Sequence, residues 1–296
     1  MSEKRKRFLF PYILITPGII LLLLVIFLPF LQNVYYSFTN HSLLNPNPSF
    51  IGWDNYTTIF FGNDFFPSLG RTLIWVSLNT IFLLVVGLIA AFVLNSKNLR
   101  GTKILHVFLL LPWILPEVVT GYTWRMLLNY QTGPYYRLLE FLNLIPQGQD
   151  IFSSRVLAMF ALVAASVWRS FPLVGILVFA KLQTLPAEQV EAALIDGASR
   201  FDIFKNIEMP HVASAVRAIM TLCFIWTFNA FGIIHIMTGG GPASATEVLP
   251  IHLQRAAFVF FNFSYSSAFA VMMIIVLVAV VALINLTPWL IMHRKK

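Results

Sequence analysis

Two ionisable residues, Glu117 and Arg169, lie within strongly apolar stretches of the sequence. Burying a charge in a bilayer is costly, so a charge inside a membrane span is a functional candidate by default. Pro112 and Pro116 precede Glu117, Pro172 follows Arg169, and interrupted helices commonly line transport sites. Since a guanidinium can hold a polar or anionic group bidentately, the pattern predicts a binding site. A structural ion pair between the two residues is the alternative.

The other reactive residue types predict neither catalysis nor a metal site. The histidines lie far apart without HExxH spacing, and no Ser-His-Asp or paired-carboxylate arrangement has a strand-turn-helix setting. Cys223 is the single cysteine, so a disulfide within the chain is excluded. The glycine-rich stretch 238–242 lacks the GK[ST] ending of a nucleotide loop and predicts a sharp outer turn. An integral membrane enzyme is therefore disfavoured.

The elements that must position the two charges are membrane helices. Hydrophobic residues make up 58% of the 296 residues and charged residues only 11%, which indicates an all-α polytopic membrane protein. Crossing a hydrocarbon core takes about 20 helical residues. Six apolar runs reach that length, at about 10–31, 72–94, 104–127, 156–181, 212–237 and 267–292.

The distribution of lysine and arginine predicts the orientation of these spans. Thirteen of the twenty fall on one side, namely Lys4, Arg5, Lys6, Arg7, Lys97, Arg100, Lys103, Lys181, Arg200, Lys205, Arg294, Lys295 and Lys296. Only Arg71, Arg137, Arg155 and Arg255 fall on the other. The termini, 1–9 and 293–296, and the loop 188–210 are therefore expected in the cytoplasm. This bias also explains the net charge of +8 without a nucleic-acid partner.

The polar loop 188–210 predicts a helix-turn-helix between two apolar spans. Pro186 can begin a helix and Gly197 can end it, and Ser199 is a plausible N-cap for a second helix that reaches Glu208, before Pro210. Small alanines around the bend allow another protein to approach closely. An amphipathic connector on the membrane surface is the alternative on composition alone.

The loop resembles the EAA loop of ABC importer permeases, the inner-membrane components of binding-protein-dependent transport. The resemblance rests on Glu191-Ala192-Ala193, Asp196-Gly197-Ala198, Ile207 and Met209-Pro210. It implies the type I permease fold, in which this loop forms coupling helices that dock into a cleft on a cytoplasmic ATPase. The residues expected to couple are Glu191, Ala192, Ala193, Asp196, Gly197 and Pro210.

A second motif narrows the family to its carbohydrate branch. Residues 237–242, MTGGGP, followed by Thr246-Glu247 and Ala257-Phe258, are similar to the LTGGGP segment of the first permease in maltose-type importers. The resemblance implies several partners: a second homologous permease, two ATPase subunits, an extracytoplasmic solute-binding protein and a sugar. It implies no cofactor in this chain, because the ATPases would bind ATP and magnesium. The expected location is a bacterial or archaeal cytoplasmic membrane.

The resemblance also implies which residues contact substrate. They lie in the third, fourth and fifth spans: Trp113, Glu117, Trp168, Arg169, Trp226, Thr227 and the further polar candidate Asn229, with Cys223 and Ala230 at corresponding positions. Flat aromatic rings stack on the apolar face of a sugar, while charges, amides and hydroxyls satisfy its OH groups. Threonine and alanine replace amides of the maltose permease, so the substrate need not be maltose.

Two alternatives stay open at this stage. A secondary transporter driven by an ion gradient would use Glu117 and Arg169 as a charge-coupling pair. An importer of a sugar phosphate such as glycerol 3-phosphate would use Arg169 to bind the anion.

Overall fold

A computed structural model describes residues 3–45, 47–96 and 102–293. Within these ranges the regular structure consists of helices and two isolated β-bridges, Thr39 with Phe50 and Ser42 with Asn45, which confirms the predicted all-α class. Lys97, Arg100 and the ends of both predicted terminal segments, 1–2 and 294–296, lie outside the described residues.

Fourteen α-helices occur along the described ranges. They are α1 Glu3–Leu22, α2 Leu28–Tyr36, α3 Asp54–Phe61, α4 Phe65–Leu94, α5 Thr102–Ile114, α6 Glu117–Leu127, α7 Pro134–Phe141, α8 Arg155–Leu182, α9 Ala187–Ile195, α10 Arg200–Ile203, α11 Met209–Phe228, α12 Gly232–Met237, α13 Leu249–Phe258 and α14 Phe263–His293. Short π turns, Leu23–Phe27 and Phe204–Glu208, join α1 to α2 and α10 to α11, and Ile151–Ser153 is a 3₁₀ turn.

Five of the described helical stretches are long and apolar enough to cross a membrane. These are Phe10–Tyr36, Phe65–Leu94, Arg155–Leu182, Arg200–Phe228 and Phe263–Leu286. A sixth arises if the bent pair Val107–Ile114 and Glu117–Leu127 is counted as one span. All six overlap the ranges expected from the sequence.

Two of these stretches differ from the simple rods that the apolar runs predict. The third is bent by 98° at Leu115 and Pro116, because Pro116 has no N–H to continue the α5 ladder. The fifth is helical from Arg200, well before the predicted start, and α11 ends at Phe228, so Gly232–Met237 is a separate helix. Pro210 does not interrupt the fifth helix, because it sits in the first turn of α11 after a π turn.

The chain divides into two compact units. The first contains the residues up to Phe66 together with His252–Val278. An aromatic cluster in this unit joins Phe38, Phe50, Trp53 and Tyr56, with ring centroids 5.1 to 6.2 Å apart. The Asn55 amide donates to the carbonyls of residues 37 and 39 at 2.9 and 2.8 Å. These contacts hold the segments 37–39 and 50–56 together.

The second unit, Pro67–Ile251 with Ala279–Lys296, contains α8 as its central helix. Helix α8 packs against α5, α6, α11 and α12, and most of its inward residues are small or β-branched. Glycines allow α4 to cross α8 closely, since a Cβ built on Gly87 would lie 2.5 Å from Val174 Cγ1 and one on Gly175 would lie 3.1 Å from Ala90 Cβ. Such small-residue contacts are a main source of helix association in lipid.

Short helix α7 lies in the connection between α6 and α8. Its Tyr136 side chain is buried, whereas Leu138 and Phe141 are exposed. Burial and the nearby Glu140 carboxylate raise the pKa of Tyr136 above its ordinary value, so the phenol stays neutral at physiological pH.

The close crossing of α4 and α8 gives a first prediction. Replacing Gly87 with alanine should lower the thermal unfolding temperature of the purified protein, because the added methyl collides with Val174 and overpacking costs about 1–3 kcal/mol. Gly70→Ala is the matched control on the same helix, since a Cβ there meets nothing within 4 Å. It should leave the unfolding temperature unchanged or raise it. Equal unfolding temperatures for the two variants would contradict the close packing.

Candidate functional site

The cavity that contains the two charges lies between interrupted helices of the second unit. It has a volume of about 310 Å³ and is lined by Leu83, Trp113, Glu117, Ser166, Arg169, Ser170, Leu173, Val174, Cys223, Trp226, Thr227, Ala230 and Ile233. Aromatic rings, the three hydroxyl side chains of Ser166, Ser170 and Thr227, and a pair of opposite charges thus share one cleft. This mixture of apolar walls and few polar groups is typical of small-molecule sites.

The first interruption lies between α5 and α6. Arg169 of α8 donates from Nε to the carbonyl of Leu115 at 3.1 Å, which satisfies a backbone acceptor in the gap between the helices. Its Nη1 lies 3.7 Å from Oε1 of Glu117, in the first turn of α6. The structure therefore brings together the two charges that the sequence singled out, and both line the cavity.

The second interruption lies between α11 and α12. The carbonyl of Thr227 accepts a hydrogen bond from Trp75 Nε1 of α4 at 3.0 Å. The Asn229 amide turns back along its own helix and donates to the carbonyl of Ile225 at 2.8 Å. Helix α12 then packs along α6, so the two interruptions face each other.

The predicted substrate residues divide into two groups. Trp113, Glu117, Arg169, Trp226 and Thr227 line the cavity, as do Cys223 and Ala230. The indoles of Trp113 and Trp226 are 42% and 57% exposed, which leaves ring surface available to a ligand. Trp168 instead packs edge-on against Trp124 at 6.0 Å, and Asn229 caps α11. Neither of these two is among the lining residues.

Gly232 is a site residue that the sequence reasoning missed. A Cβ at this position would lie 2.5 Å from Oε2 of Glu117, so a side chain here would displace the carboxylate from its present place. The signal available in the sequence was a lone glycine within an apolar run, which does not reveal a partner 115 positions earlier in the chain. Leu115 was missed too, because its contribution is a backbone carbonyl.

A second cavity lies between α6, α7 and α8. It measures about 460 Å³, and its walls, which include Trp124, Tyr135 and Phe160, are almost entirely apolar. None of the predicted substrate residues lines it. Hydrogen-bonding groups are what orient a polar ligand, so the smaller cavity is the better candidate for recognition of a polar molecule.

The predicted coupling residues lie on and around α9 and α10. Gly197 has φ +83° in the turn between these helices, a conformation that favours glycine. Ser199 is the N-cap of α10 and forms a capping box with Asp202, as its position in the sequence predicted. Glu191, Ala192, Asp196, Gly197 and Pro210 are exposed, and Ala193 is half-buried.

An apolar surface surrounds this turn. Ile195 and Phe201 are 86% and 67% exposed, and Leu194 is also exposed. A polar groove of about 640 Å³ adjoins it, with Glu191, Arg200 and Glu208 among its lining residues. Exposed apolar residues rimmed by charge are typical of a protein-interaction surface.

Interrupted apolar helices around a cavity with apolar walls and a few polar groups are typical of membrane transport proteins. Residues 83–289 match the model of the family described as "Binding-protein-dependent transport system inner membrane component", and the chain belongs to this family. It is thus a permease subunit of an ABC importer, and this membership favours the ABC mechanism over the ion-gradient alternative.

Individual relatives extend the comparison. The trehalose/maltose transport system permease protein MalF of Thermococcus litoralis is 32% identical over 81% of this chain and 80% of its own length. The maltodextrin transport system permease protein MdxF of Bacillus subtilis is 30% identical over 80% of this chain and 57% of its own length. A permease of the bacterial ABC transporter "involved in the import of the acidic polysaccharide alginate" shares the fold, with a TM-score of 0.83, 17% identity and 96% coverage of both chains.

The contact between Gly232 and Glu117 gives a second prediction. Gly232→Ala should lower uptake by the assembled importer about fivefold, because the new methyl displaces the Glu117 carboxylate from its place in the cavity. In a Glu117→Ala background the same substitution should have no further effect, since nothing is left to displace. Uptake measured for the two single variants and the double variant checks this. Independent, additive losses would contradict the contact.

Proposed function

We propose that this chain forms, with a second homologous permease, the translocation pathway for a sugar or oligosaccharide that a solute-binding protein delivers. The observation that carries the proposal is the cavity where Trp113 and Trp226 face Glu117, Arg169 and Thr227. Rings that stack on the apolar face of a pyranose stand beside groups that exchange hydrogen bonds with its hydroxyls. The names of the two relatives, which refer to trehalose, maltose and maltodextrin, support the same substrate class.

The surface at 188–210 is proposed to dock the importer's ATPases. Its support is the exposure of Ile195 and Phe201 beside a glycine turn without side-chain bulk. One ATPase would bind this chain and another its partner permease, and both would carry the ATP and magnesium. The excess of lysine and arginine near the loop supports a cytoplasmic position for the loop and for both termini.

The proposed cycle links these two sites. Closure of the ATPases on ATP would move α9 and α10. Helix α11, which ends at Phe228 near the cavity, would carry this movement to the cavity. The spans would then open toward the solute-binding protein, and sugar would enter between the interrupted helices. The chain acts throughout as a binding and conducting subunit.

The docking proposal predicts the effect of bulk at Gly197. Gly197→Asn should reduce ATP-driven sugar uptake at least tenfold, because asparagine tolerates a positive φ but adds a side chain to the docking surface. Gly148→Asn is the matched control, with φ +70° and, like Gly197, nothing within 4 Å of an added Cβ. Uptake and ATP hydrolysis are measured on the same proteoliposomes. Normal uptake by Gly197→Asn would count against docking at this turn.

The cavity proposal predicts a loss of affinity when an aromatic wall is removed. Trp113→Ala should weaken the apparent affinity for transported sugar about fivefold, which corresponds to ~1 kcal/mol of lost stacking. Phe141→Ala, which removes an exposed ring from α7, should leave the affinity unchanged. Concentration-dependent uptake by the reconstituted importer provides the measurement. Identical affinities for the two variants would remove Trp113 from the site.

A further inference from the structure

The two charged side chains of the cavity differ in their exposure. The Arg169 side chain is 23% exposed and the Glu117 side chain 43% exposed, so the carboxylate is the more accessible of the two. Arg169 already donates from Nε to the carbonyl of Leu115 and faces Glu117 with Nη1. The guanidinium therefore already has two partners, and it is the less exposed member of the ion pair.

Three features hold the Glu117 carboxylate where it is. It lies in the first turn of α6, where the helix dipole favours a negative charge. Arg169 of α8 attracts the carboxylate, and Gly232, which has no side chain, leaves the space that the carboxylate occupies. The other described residues that line the cavity carry no formal charge, so the pair makes the cavity neutral overall.

The fold alone does not determine whether a substrate is charged. The alginate transporter, whose permease shares this fold, is described as importing an acidic polysaccharide. One fold is thus compatible with substrates of different charge, and the side chains that line each cavity can select between them. In this chain the only described lining residues able to act through formal charge are Glu117 and Arg169.

We propose that Glu117 is a specificity-determining residue that excludes anionic saccharides from a cavity whose arginine would otherwise attract them. The inference rests on the proposed sugar transport and adds the charge class of the substrate. An anionic group that approaches Arg169 meets the Glu117 carboxylate within the same few ångströms, and the two negative charges repel. A neutral sugar avoids this repulsion, since its hydroxyls donate to the carboxylate and accept from the guanidinium.

The test compares two disaccharides that differ by one charge. One is maltose, and the other is maltose with its terminal CH₂OH group oxidised to a carboxylate. Binding of both is measured on the assembled importer in nanodiscs without the solute-binding protein, so that only the permease cavity selects. The wild type should bind maltose at least tenfold more tightly than the uronate. Glu117→Gln, which keeps the shape of the side chain, should reduce this ratio at least tenfold.

Two further variants complete the design. Glu140→Gln removes a carboxylate that accepts from the amide of Gly148, outside the cavity, and should keep the wild-type ratio. Arg169→Gln leaves the Glu117 carboxylate unpaired and should keep or increase the preference for maltose. This last variant tests the inference even where Glu117→Gln does not assemble.

The outcomes separate this inference from the proposed function. Maltose binding by Glu117→Gln with an unchanged ratio would overturn the role of Glu117 and leave sugar transport standing. A weaker preference for maltose in Arg169→Gln than in the wild type would also overturn the role of Glu117. Binding of neither disaccharide by the wild type would overturn the proposed sugar site, and the inference with it.

Discussion

The second unit depends on hydrogen-bond donors for the backbone carbonyls at the ends of its interrupted helices. Hydrocarbon offers no hydrogen-bond donor, so a gap in a membrane helix depends on donors from the protein or from a water-filled cavity. Here the donors are side chains of neighbouring helices, Arg169 for Leu115 and Trp75 for Thr227. The two interruptions are thus stabilised by tertiary contacts that cross the unit.

The same contacts create the chemistry of the cavity. A guanidinium placed to satisfy a carbonyl needs a counter-charge in a medium of low polarity, and Glu117 supplies it from the helix that begins after the gap. A structural role and a binding role for this ion pair are therefore compatible, because the groups that hold the bend also line the space beside it. Gly232 completes the arrangement by leaving room for the carboxylate.

Local sequence pattern was sufficient for part of this molecule. Apolar runs about 20 residues long indicated the spanning helices, and Ser199, a residue type favoured at N-caps, indicated the start of α10. Intramembrane charges beside proline indicated Glu117 and Arg169. The 98° bend, the donor role of Trp75 and the space at Gly232 depend on residues far apart in the chain, and no local periodicity encodes them. Pro210 was expected to end a helix, but the preceding π turn accommodates it.

The unbroken helical stretch from Arg200 to Phe228 has a mechanical consequence. Its 29 residues correspond to roughly 43 Å of rod at the usual helical rise, with one end beside the Gly197 turn and the other beside Trp75 and the cavity. A continuous helix resists shortening, so a displacement of one end is transmitted to the other end and is not absorbed by a hinge. We expect a displacement carried by this helix to be taken up at the two interruptions beside the cavity, because the helical hydrogen-bond ladder is broken there.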